Sequence, residues 1–328
     1  MYDHYIGIDW AQSNMAIARH TSKSKVAKTI DVRSDIGELK VYLKNLKGRT
    51  AIAIEETSTS QWLYSELKNY VDHIIVCDPY RNRLLSEGGK SDRVDAEKLA
   101  VLLRADLLKP VFHSGDYFWK LRKLVSGYND IITACVRAKN QRKSIYRSVG
   151  IKPEDNLKCV VELFVKDKIE EEILTYESIR REYEQRFSDL VKSNKLIRSL
   201  TTIPGIGEIY AVALAAKIID IRRFPSAKNF WSYCGLIKHQ KMSGGRSYGR
   251  RLPRYSREMK KIICHATFLA TKEGGKNPLR ERYEYLRSHK QLSESEATTA
   301  TRRLLASIIF GVLKNRKGFD AELISKRT

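Results

Sequence analysis

Over roughly the first hundred residues the apolar positions alternate between two periods. In YIGIDW (5–10), Ile6 and Ile8 alternate with Gly7 and Asp9, the two-residue repeat of a strand. NMAIARH and KVAKTIDV predict two more strands, with turn residues between them. SDIGELKVYLKNLK switches to helical spacing: Ile36, Leu39, Leu43 and Leu46 recur at three- and four-residue steps, and Ser34 stands where an N-cap would. RTAIAIEE reads as a buried strand, SQWLYSELKNY as a helix and DHIIVCD as a short apolar strand. PYRNRLLSEGGKS then connects to a helix over RVDAEKLAVLLRA.

Three strands joined by short connections form a meander, and strands separated by helices join by right-handed crossovers and lie parallel. The predicted result is a mixed five-stranded sheet with flanking helices, an α/β unit of ribonuclease H-like (RuvC-like) architecture over 1–115. From 116 to 196 the pattern becomes all-α. Ile169, Ile173, Tyr176, Tyr183, Phe187 and Leu190 form a stripe, interrupted by Arg180 and flanked by charge. Such a stripe needs a helical partner, either in a coiled coil or in a hairpin with 116–148 across the turn VGIKPEDN. The remainder, 197–328, is mainly helical. It opens with IPGIG, which resembles the turn of a helix-hairpin-helix element.

Charge narrows the function. Lys plus Arg number 61 against 38 Asp plus Glu, a net charge of +23, which points to a polyanionic partner, nucleic acid first. The longest late apolar run, LLASIIFGVL, is too short to span a bilayer, and MYDHYIGIDW is no signal peptide. The five cysteines are odd in number and lack CxxC or zinc-knuckle spacing. They predict a reducing, cytoplasmic setting with neither disulfides nor zinc.

Within so basic a chain, the acids of KSDRVDAEKLA stand out. Asp92 and Asp95, three apart, share a face of a helix beginning near Ser91, which also suits the helix dipole. Asp9 ends the first strand and Glu55 ends AIAIE, so the predicted sheet brings four carboxylates together. Hard oxygen ligands suit Mg²⁺ or Mn²⁺, and such ions act on phosphodiesters. Glu55 is preferred to Glu56 because it keeps the parity of Ala51 and Ala53. Asp78 reads as a turn residue.

YIGIDWA, AIEETSTS and KSDRVDAEKLA, followed by LTTIPGIGEIYAVALAAKI and FWSYCGLIKHQKMSGG, resemble the IS110 family of DEDD transposases, a family that includes Piv-type DNA invertases. Thr57-Ser58 replaces the usual Thr-Gly, and GLIKHQK lacks the proline common after its GL. The resemblance implies Mg²⁺ on Asp9, Glu55, Asp92 and Asp95, and a transposase domain over 197–328 with Ser243 as nucleophile, forming a covalent phosphoserine with DNA. It also implies homo-oligomers, dimer to tetramer, that join one subunit's RuvC-like domain to another's transposase domain. In some members a structured bridge RNA selects donor and target DNA.

Around Ser243, a weak nucleophile until activated, Lys238, Lys241, Arg246, Arg250, Arg251 and Arg254 read as a phosphate-binding loop, with Ser247 the alternative hydroxyl. Gly205 and Gly207 of IPGIG would let backbone N–H groups approach phosphate. Tyr248 and Tyr255 are readable either as base-stacking or as core. Two other functions compete: a RuvC-like hydrolytic nuclease or junction resolvase, and a non-catalytic nucleic-acid-binding protein.

Overall fold

In β1 (His4–Trp10) the alternation becomes two differently packed faces. Ile6 and Ile8 enter one core together with Leu39, Leu43, Leu63 and Leu67; Tyr5 enters another with Ala51, Ala53, Leu99 and Leu103. The computed structural model describes residues 1–78, 82, 91–113, 116–272 and 276–321. Most of the connection PYRNRLLSEGGKS, with Gly88, Gly89 and Lys90, lies outside them. The described chain divides into two compact units, Met1–Trp119 and Lys120–Thr328.

In the first unit β1 pairs antiparallel with β2 (Asn14–Thr21), and β2 with β3 (Lys28–Arg33). α1 (Ile36–Lys44) leads to β4 (Thr50–Glu55), parallel to β1. α2 (Ser60–Leu67) leads to β5 (His73–Cys77), parallel to β4. The sheet order is β3-β2-β1-β4-β5, the expected mixed five-stranded sheet. α1 and α2 bury their leucines on one face, and α3 (Asp92–Arg104) covers the other.

One capping expectation is corrected. Asp35, not Ser34, caps α1: its Oδ1 accepts from Gly37 N at 2.6 Å and Glu38 N at 3.0 Å. Ser34 Oγ instead donates to Ala11 O at 2.8 Å. A carboxylate is the stronger acceptor and also meets the positive end of the helix dipole.

In the second unit α4 (Asp116–Ser148), from Lys120 onward, and α5 (Val160–Ser193) form a hairpin. Ile173 packs on Cys135 and Ala138, and Tyr128 meets Phe187 edge-on at 5.2 Å. Lys139 Nζ lies 2.6 Å from Glu177 Oε1. The stripe over 169–190 therefore finds its partner inside the chain. α6 (Lys195–Thr201) and the almost wholly buried α7 (Glu208–Ile218) follow, then α8 (Ala227–Tyr233).

The basic stretch forms two strands rather than a loop, β6 (His239–Ser243) and β7 (Arg246–Arg251), paired antiparallel. α9 (Arg257–Thr271), α10 (Pro278–Ser288) and α11 (Glu294–Asn315) complete the unit. Among the described residues no helix is long and apolar enough to cross a membrane. All five cysteines are free thiols.

Candidate active site and nucleic-acid interface

Gly7 lets α3 lie directly on β1. A Cβ there would stand 2.0 Å from Ala96 O and 2.7 Å from Ala100 N, both backbone atoms that cannot swing aside. The sequence pattern did not assign this role to Gly7, although a glycine inside an alternating strand is a signal of close backbone approach. Gly7→Ala should push α3 off the sheet. We expect about 1–3 kcal/mol or more of lost stability, seen as a lower urea midpoint; an unchanged midpoint would refute the packing argument.

Asp9 is the next residue outward on the Gly7 face. Ile8 pairs with Ile54, so β1 and β4 end side by side, and Glu55 lies on the Ala51/Ala53 face of β4. Asp92 opens α3, where Ser91 Oγ accepts from Val94 N at 3.3 Å, and Asp95 follows one turn on. The other three acids all bear on Asp9. Burial, then the charges of Asp92, Asp95 and Glu55, raise the Asp9 carboxyl from 3.8 to about 6. Glu56 is exposed and takes no part in that shift; its N–H donates to Cys77 O at 2.9 Å. Asp78 is buried, and its carbonyl accepts from Asn82 N and Nδ2 at 3.1 and 2.8 Å.

Nearby cations have local tasks. Arg93 Nε lies 2.8 Å from Asp31 Oδ2 and ties α3 to β3, while Lys98 Nζ lies 3.3 Å from Asp95 Oδ1. Among the described residues no three His, Cys, Asp or Glu side chains gather tightly enough to cage an ion. The donor set nevertheless fits Mg²⁺ or Mn²⁺, being all carboxylate, with three of the acids adding to burial in raising the Asp9 carboxyl. Mg²⁺ keeps several waters and needs only one or two protein carboxylates, so an open edge suits it better than a closed cage.

In the second unit Ser243 ends β6 and pairs with Arg246 across a two-residue turn, Gly244-Gly245. Both glycines have positive φ, 53° and 76°, as such tight hairpins demand. Gly-Gly between two short runs was the signal for these strands, masked by the density of charge. β6 and β7 are exposed throughout: Lys241, Arg246, Arg250 and Arg251 lie along the hairpin that Ser243 tips, and Lys238 and Arg254, just outside its strands, are exposed as well. Glu258, the lone acid in the stretch, is paired with Lys217.

The tyrosines divide. Tyr248 is exposed beneath Lys241 Nζ at 5.9 Å, whereas Tyr255 packs on Gly235, where a Cβ would meet its ring at 2.6 Å. The two glycines of IPGIG divide as well. Gly205 has φ +83°, and a Cβ there would meet Ala266 O at 2.2 Å, so chain packing alone demands it. Gly207 caps α7, and a Cβ on it would reach open space.

A family model described as "Transposase", the IS110 DEDD type, matches residues 6–149. A second, "Transposase IS116/IS110/IS902 family", matches 197–284. The chain is 25% identical over 145 residues to the "Insertion element IS110 uncharacterized 43.6 kDa protein" of Streptomyces coelicolor, a stretch covering 44% of this chain and 35% of that one. It is 37% identical over 71 residues to the "Transposase for insertion sequence element IS1328" of Yersinia enterocolitica, covering 22% and 20% respectively. The matches thus span about a third and a fifth of these relatives' lengths.

Proposed function

Because the chain belongs to the IS110 family of transposases, we propose that it is a DNA transposase or site-specific recombinase. In this reading the acidic sheet edge holds Mg²⁺ or Mn²⁺ and Ser243 is the nucleophile. The observation that carries it is the joint action of Asp92, Asp95 and Glu55 on Asp9, which concentrates negative charge in a chain of net charge +23. Four carboxylates kept together against their own repulsion are suited to a cation.

Ser243 Oγ attacks a DNA phosphorus, forming one P–O bond while the bond to the leaving deoxyribose oxygen breaks. The serine proton passes to bulk water, the departing deoxyribose oxygen takes up a proton and leaves as a hydroxyl, and the protein becomes linked through phosphoserine. In the homo-oligomer, a metal bound by the acids of another subunit would stabilise the charge developing on the phosphate. The basic hairpin holds the neighbouring phosphates, and its glycine turn leaves room beside Ser243. We assign choice of donor and target to a structured bridge RNA, on family likeness and on the surplus positive charge, and we assign the active form to a homo-oligomer, dimer to tetramer. The test is incubation with Mg²⁺ and DNA carrying the flanks of the chain's own gene, read on a denaturing gel. Cleavage with a protein–DNA adduct supports the reading. Cleavage without an adduct makes the chain a hydrolytic nuclease, and binding alone makes it a non-catalytic partner of nucleic acid.

Asp9 also sets a pH dependence. Its pKa is raised in the fold, so the folded state binds the proton more tightly than the unfolded chain does. The stability it contributes without metal is full below the unfolded value of 3.8 and is lost as pH rises through about 6. Melting temperatures in EDTA should therefore fall across that window relative to Asp9→Asn. Parallel curves for the two chains would show that Asp9 is not perturbed.

A further inference from the structure

Trp62 has no place in the chemistry assigned so far. It is 37% exposed, while its neighbours Gln61, Leu63 and Leu67 on α2 are buried, so it lies off the helix stripe that packs on the sheet. Its ring meets that of Trp10 edge to face, centroids 5.4 Å apart and planes at 75°. Trp10 is held in turn against the core of Ile6, Ile8 and Leu63. An exposed aromatic with a fixed buttress is a rigid flat surface, whose orientation costs little further entropy on binding.

Its position gives it meaning. Trp10 directly follows Asp9, so their Cα atoms stand about 3.8 Å apart. β1 and β4 run parallel and end together, and α2 starts a few residues beyond Glu55. Asp9 and Trp10 point to opposite faces of the sheet. A strand held by a phosphate at the acids would therefore reach the indole pair by passing over the carboxyl edge of the sheet.

We propose that Trp62, braced by Trp10, is a stacking subsite for an unpaired nucleobase adjoining the phosphate held at the acidic edge. This rests on the reading of that edge as a strand-cleaving site. Bases within a duplex already stack on one another, so only an unpaired base can use the indole, and strand exchange exposes such bases. Stacking on an aromatic ring is tolerant of sequence, which suits a chain whose target is chosen elsewhere. The charge of +23 draws the strand in, and the indole fixes the base.

The experiment uses the full chain with Asp9→Asn, expected to bind without cutting, and two strands of equal length: oligothymidylate and an abasic polymer with the same phosphates. Adding Trp62→Ala should weaken oligothymidylate binding by about 10-fold and leave abasic binding unchanged. Oligothymidylate should also quench tryptophan fluorescence less in Trp62→Phe than in the Asp9→Asn parent. Equal weakening on both strands, as misfolding or lost charge steering would cause, overturns the proposal; so does no weakening on either. A wild-type chain that binds these strands but never cleaves DNA would overturn the strand-cleaving reading and leave the stacking result standing.

Discussion

We expect Asp9→Asn to abolish metal-dependent strand cleavage while nucleic-acid binding stays close to wild type. Asp9 is the acid on which Asp92, Asp95 and Glu55 all act, and asparagine keeps its size while removing its charge. Metal stabilisation of a phosphoryl transition state is worth several kcal/mol, so the rate should drop on the order of a thousandfold or more. Binding is spread over many lysines and arginines and should barely change. The same substitution should raise the melting temperature in EDTA near neutral pH, because it removes repulsion at the sheet edge. Mg²⁺ should stabilise wild type and not the variant. Wild-type cleavage by Asp9→Asn, or equal wild-type activity in EDTA and in Mg²⁺, would end the metal-site reading.

Ser243→Ala is the second large effect, and it separates covalent from hydrolytic chemistry. Strand exchange without ATP needs the energy of the broken phosphodiester to be kept, and a phosphoserine keeps it where hydrolysis by water would not. The variant should lose both the denaturation-resistant adduct and the recombined product. Folding should be unaffected, since Ser243 is exposed and only a methylene-linked hydroxyl is removed from the strand end. DNA affinity should stay within about twofold, because the arginines and lysines of the hairpin remain. An adduct persisting in Ser243→Ala would move the nucleophile elsewhere. Ser247, which pairs with Met242 across the hairpin, is the next hydroxyl to test.

Sequence pattern alone determined the order of strands and helices in the first unit, the mixed sheet and the acids at its carboxyl end. Period two in Ile6 and Ile8, and steps of three and four in Leu39 and Leu43, are local consequences of backbone geometry and are readable without a fold. So is the placement of Asp92 and Asp95 one turn apart on a helix that begins near Ser91. The partner of the 169–190 stripe was left open, because a stripe shows that a face is buried without showing what buries it. Only the tertiary structure supplied α4.

Long-range contact decided the rest. Gly7 matters because Ala96 of a distant helix lies against it, and Gly205 because Ala266 does; neither neighbour is near in sequence. The β6–β7 hairpin was hidden because its residues are mostly basic or polar and all exposed, leaving no apolar alternation to mark strands. The shift on Asp9 follows from burial added to three carboxylates brought in from β4 and α3. Spacing along the chain shows which side chains share a local face. Which of those faces meet is decided by packing between elements far apart in sequence.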